Sequence, residues 1–414
     1  MDSPLIKNVN LFLDDKPSVF ALRNKARIAL DSIGFPTLKT EAWKYTDIKE
    51  LINKDFNINT EENTCSHECC HHHNEDTSFI EIRFCNGKLH VEEYNMPEGI
   101  TLTPLPLALF DDDYKKYFFN AFNLEKHPFA ALNGLYLEQG ICIHIEKNTS
   151  LNKPILIKYN QKDCDNLQLS IHNLIILEKG AKLELIEDFT SASENTYFTN
   201  TVNEVYLKAE SELTHYKIQK ENSKSYHIAL NAIKQQEKSS YKQYYLSDGA
   251  KLSRQETLVN LDQQNANAEI YSAYMAKKNC TTDITTNINH LVENTNSNQY
   301  AKGVLEEDST AVFQGKIHIA PNAVKTSGHQ LHKALYLSDS AKLNCKPELE
   351  IYADDVKCSH GASCGELDKE QLFYLLSRGI EKHTAIKLLT DAHLEELLSL
   401  IPNPKIKELF FGFE

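Results

Sequence analysis

The sequence predicts a mainly β chain: a stacked, solenoid-like core flanked by helical regions at both ends. Three observations predict it. Period-two alternation begins near residue 79 and continues through the middle of the chain. A strand–turn–strand frame recurs within that stretch. Helical periodicity is confined to the first 55 and the last 47 residues.

The N-terminal helical reading rests on FALRNKARIALDSIG (20–34). It sets Leu22, Ala26, Ala29, Leu30 and Ile33 on one face, and Gly34 and Pro36 end it. EAWKYTDIKELI follows and carries the only tryptophan, Trp43, expected to be a packing anchor beside Tyr45. Residues 53–78 are polar and irregular, and are read as a loop. Residues 1–78 thus form the first region, 79–365 the β core, and 366–414 a C-terminal helical region.

Within the core, FIEIRF (79–84), ICIHIE (141–146), PILIKY (154–159) and NLIILE (173–178) alternate as strands do. LEKGAKLELIE (177–187), LSDGAKLSRQE (246–256) and LSDSAKLNCKP (337–347) share a frame of Leu, a polar turn and Ala-Lys-Leu. LKAESELTHYK (207–217) and LEEDSTAVFQG (305–315) follow it more loosely. The starts are separated by 30, 39, 59 and 32 residues. Units of that size bury their faces on one another as coils of a solenoid. The 14 glycines are too few for a run of tight hairpins, which argues against an antiparallel sandwich.

In the last region, Asp368 is placed to cap a helix with Gln371 three residues on, and Gly379 to stop it. Leu372, Leu375, Leu376 and Ile380 line one stripe. TAIKLLTDAHLEELLSLI (384–401) repeats the period before Pro402 and Pro404. Such a pair suits either a cap over an open solenoid end or a docking surface.

Charge and composition narrow the function. Lys plus Arg number 44 against 58 Asp plus Glu, a net charge of −14, which disfavours nucleic acid and anionic membrane surfaces. No secretory signal or membrane-length apolar run is present. A cytoplasmic location is expected, with the ten cysteines as free thiols or metal ligands rather than disulfides.

Two stretches carry metal-ligating chemistry. CSHECCHHH offers Cys65, His67, Cys69, Cys70, His71, His72 and His73, without the spacing of an evolved site. Such a tract captures Ni²⁺, Cu²⁺ or Zn²⁺ without defined geometry and is expected to be accessory. LEIYADDVKCSHGASCG places Cys358 and His360 on one face of a strand, Cα atoms about 7 Å apart. Gly361 is expected to end that strand, leaving Cys364 to join only if the following turn folds back. Two ligands do not complete a zinc or iron–sulfur site. On spacing alone the pair is either incidental or completed by a partner.

The stretch 334–380, ALYLSDSAKLNCKPELEIYADDVKCSHGASCGELDKEQLFYLLSRGI, and the entry GFPTLKTEAWKYTDIKEL (34–51) resemble the SufB/SufD iron–sulfur cluster assembly scaffolds, and SufD-type chains most. The resemblance implies a right-handed parallel β-helix with helical regions at both ends. It also implies a non-enzymatic subunit of a SufB–SufC–SufD complex. A SufB-like paralogue would pair through the β-helix ends, and a SufC-like ABC ATPase would dock on about 366–414. Iron or a transient iron–sulfur cluster would be held at the partner interface by His360 first and Cys358 second, with nothing permanently bound. The isolated chain is expected to self-pair through the same end. His393 and Cys364 depart from the family pattern, and 65–73 has no counterpart in it. The chain has no G-x-x-x-x-G-K-[ST] phosphate loop, so ATP hydrolysis would come from the partner. Two other classes fit the residues: a metal buffer built on 65–73, and a β-helix enzyme acting on polysaccharide.

Overall fold

The computed structural model describes residues 3–9, 17–58, 78–90, 96–162, 165–190 and 193–410. Consecutive strands from Ile141–Ile145 to Val356–Glu366 alternate between two sheets. One has ten strands and the other nine, and neighbours within each come from successive coils. Apart from short antiparallel pairings at the N-terminal end, the ladders are parallel. The result is a parallel β-solenoid of about eight turns.

Register explains why the coils stack. Ile175, Val205, Ile233, Val259, Ile288, Ile317 and Leu349 lie one above the next as ladder partners. All but Leu349, in the last coil, are buried. Two residues earlier runs a polar column, in which Asn173 donates to Asn203 and Asn203 to Asn231, each at 2.9 Å. Stacked amides satisfy one another only if every coil keeps the same register, so this column fixes the pairing.

The recurrent Leu–turn–Ala-Lys-Leu frame marks coil corners. Leu177 and Leu207 end strands at one corner of the solenoid, while 246–250, 305–309 and 337–341 form the opposite one. The interval of 59 residues therefore spans two coils, and that of 39 passes from one corner to the other. Corners use left-handed residues other than glycine, among them Glu210, Lys238, Asn265, Asn294 and Asp308. That is how so few glycines suffice.

Helix α1 (Pro17–Ile33) and helix α2 (Pro128–Leu135) pack together on the outer face of the nine-stranded sheet. Trp43 is the anchor expected of it: it packs at 5.2 Å on Phe129 and at 4.0 Å over the guanidinium of Arg254. Arg254 is itself buried and ion-paired to Asp283. The strand Ile80–Cys85 belongs to the ten-stranded sheet, so the chain enters the solenoid and then returns to the helical layer.

At the C-terminus are α3 (Lys369–Ser377), α4 (Lys382–Leu398) and α5 (Pro404–Phe410). Asp368 caps α3 by accepting from the backbone of Glu370 and Gln371, and Gly379 follows at φ 83°. Of the two roles open to this pair, capping the solenoid end is not the one seen. Leu394, Leu397, Leu398, Ile406 and Phe410 bury themselves on the flank against Tyr216 and Tyr244, and Tyr244 donates to the Leu400 carbonyl at 2.7 Å. Glu396 pairs with Lys302 there.

Candidate functional site at the open end of the solenoid

The final coil is built from Lys342–Ile351 and Val356–Glu366, the end strands of the two sheets. Among the described residues, no further strand pairs with their outer edges. Ladder pairing sets Cys358 on Gly328, His360 on Gln330 and Cys364 on Ala334. Those three lower residues are buried in the lumen. Period-two geometry therefore aims Cys358, His360 and Cys364 over the mouth of the lumen.

Cys358 is half-buried against a small cluster containing Ile317 and Ile319, and burial pushes its thiol pKa up. His360 is exposed. Between them Ser359 faces the other way and meets His329 Nδ1 at 2.7 Å. The expectation that Gly361 ends the strand is not met: pairing runs on to Glu366. Cys364 needs no folded-back turn. It shares the strand and the face of Cys358 and His360, one step beyond Ala362, because Gly361 pairs on Leu331 as any strand residue would.

Two residues that the sequence reading did not single out lie beside this row. Cys345, on the facing strand, pairs on Phe313 and so also points into the lumen. Its sulfur is 3.6 Å from His332 Nδ1. Nε2 of the same ring meets the Tyr274 hydroxyl at 2.8 Å, and Phe313 stacks on it at 4.7 Å. Burial pushes His332 down to about 4, so its imidazole is neutral at physiological pH. Burial, then the neighbouring Cys364, push the Cys345 thiol up to about 11.

Cys142, Cys280, Cys345, Cys358 and Cys364 are free thiols. Among the described residues, no three His, Cys, Asp or Glu side chains already converge as a metal cage. The 65–73 tract, with Cys65, His67, Cys69, Cys70, His71, His72 and His73, lies outside the described residues. Asp354 and Asp355 are exposed at the corner before the last strand, as a solvated acidic pair would be. No helix among the described residues is long and apolar enough to cross a membrane.

Comparisons with known proteins show the family to which this solenoid belongs. The model for the SufBD core domain of the SUF system for Fe–S cluster assembly matches residues 159–393, and that for the SufBD N-terminal region matches 7–157. The chain belongs to the SufBD family. It is 30% identical over 399 residues to a Synechocystis iron–sulfur cluster assembly SufBD family protein, covering 92% of this chain and 88% of that one. It is 30% identical over 380 residues to SufD of Escherichia coli, covering 91% and 87%. To SufD of Bacillus subtilis it is 24% identical, covering 81% and 78%. A SufBD-family role in iron–sulfur cluster assembly follows.

Proposed function

We propose that this chain is the SufD-type, non-enzymatic subunit of a SufB–SufC–SufD complex. Its open solenoid end pairs with a SufB-like paralogue, and a nascent cluster or iron is held between them. The observation that carries this reading is the uncovered final coil. Both sheets end there with one edge of their backbone groups unpaired, and Cys358 and His360 stand over the lumen mouth. Two protein ligands leave a cluster incomplete, so a partner seated on that edge supplies the rest. His360 is the exposed member and the first ligand; Cys358, half-buried, is the second.

Helix α3 is the surface for a SufC-like ATPase. It buries no residue in this chain, and it presents Phe373 at 71% and Tyr374 at 56% exposure. ATP hydrolysis belongs to that partner. Free thiols at the mouth suit a reducing compartment, so we place the complex in the cytoplasm. Without its partners the chain self-pairs through the same edge.

The test is co-purification. The chain, a SufB-like and a SufC-like partner should elute as one stoichiometric complex by size exclusion with light scattering. Replacing Ile351, the exposed last residue of the strand Lys342–Ile351, and the exposed Tyr352 that follows it, with Asp should release the SufB-like partner alone. A complex untouched by those changes would remove the open end as the pairing surface.

A further inference from the structure

Cys345 and Cys364 lie outside the Cys358–His360 pair, and the proposed function does not use them. We infer that these two thiols form a second seat at the lumen mouth, one that takes a thiophilic divalent cation. Iron(II) is the cargo if the chain serves cluster assembly; only that identification rests on the proposed function.

The geometry is built from below. A side chain at Gly303 would collide with the Tyr274 ring, so glycine there lets the ring lie across the coil. Tyr274, thus placed, holds His332 Nε2 at 2.8 Å. His332 in turn meets the Cys345 sulfur through Nδ1 at 3.6 Å. One tyrosine, one glycine and one buried histidine therefore fix the position of a single thiol. Cys364 arrives from the opposite sheet, directly above Ala334, over the same mouth into which Cys345 points and close enough that a thiolate there bears on Cys345.

Two thiols from facing strands at an open mouth give a cation two thiolate ligands. Tetrahedral coordination leaves two further positions for exchangeable ligands, which suits an ion that must be passed on. Binding is balanced as two thiols plus M²⁺ giving a bis-thiolate complex and two protons released to solvent. His332 is a positioning residue: it orients Cys345 and is not itself required as a ligand.

The test uses the anaerobically purified full chain and Zn²⁺ as probe. Iodoacetamide labelling is followed cysteine by cysteine by peptide mass spectrometry, so the thiols of 65–73 report separately. Zn²⁺ should slow labelling of Cys345 and Cys364 together, by at least about tenfold. Cys364→Ser, at an exposed site where the fold tolerates it, should abolish protection of Cys345, and Cys345→Ser that of Cys364. His332→Gln should weaken both. His360→Ala should leave both intact, so failure of the proposed function and failure of this seat are told apart. Protection of one thiol alone, persistence of Cys345 protection in Cys364→Ser, or no protection of either would overturn the pair.

Discussion

His290 gives a quantitative test of how this solenoid is held. Its ring is fully buried, with Nδ1 on Thr295 and Nε2 on Ser297, both at 2.8 Å. Burial first, and the charge of His318 second, push its pKa from 6.5 to about 4. The folded-state value is depressed, so the contribution to stability is complete above the unfolded value and is lost as pH falls towards the folded one. Linkage over that interval gives a loss of about 2 kcal/mol between pH 7 and pH 5 from this group alone. The window lies above the carboxylate range, and His332 and His393, also pushed down to about 4, titrate equally in wild type and variant. The assay is urea unfolding of the wild type and His290→Gln at both pH values. The variant should be less stable at pH 7, by about 1–2 kcal/mol for the altered hydrogen bonds, yet lose about 2 kcal/mol less on acidification. An identical loss in both proteins would show that His290 is not the group whose burial sets this pH dependence.

Three further outcomes follow from packing. Gly303→Ala should destabilise the chain by about 1–3 kcal/mol in urea unfolding, because Tyr274 must move; Tyr274→Leu in the same chain should recover part of it. Trp43→Ala should cost about 3–5 kcal/mol, since it removes a buried ring and uncovers Arg254. Phe373→Ala with Tyr374→Ala should change thermal stability by less than about 1 kcal/mol, as exposed residues do. The same pair should reduce binding of the proposed SufC-like partner at least tenfold by calorimetry.

Much of the fold was legible in the sequence because each coil repeats one simple pattern. FIEIRF, ICIHIE, PILIKY and NLIILE all lie in strands, and Asp368 caps the helix it was expected to cap. Trp43 was legible as an anchor, though not its Arg254 partner, which is about 200 residues away in sequence and is brought near only by the solenoid. Cys345 was hidden for a sharper reason. The shared frame aligns it with Arg254, which faces outward beneath Trp43. The register shows otherwise: Leu252 stands three coils below Lys342, not below Leu343. The frame at 337–347 is therefore one residue out of step with the ladder, and a one-residue slip exchanges the faces of a strand. Cys345 therefore turns into the lumen. Cys364 was misjudged because a glycine before it suggested a strand end. In a parallel ladder, Gly361 and Gly365 simply continue the pairing.

We propose that a cluster is built at the lumen mouth, through His360. The most direct measurement is iron and acid-labile sulfide in the anaerobically purified complex with SufB- and SufC-like partners, comparing wild type with His360→Ala. The expected outcome is loss of both iron and sulfide from a complex whose subunit ratio is unchanged. Wild-type iron and sulfide in the intact His360→Ala complex would contradict it.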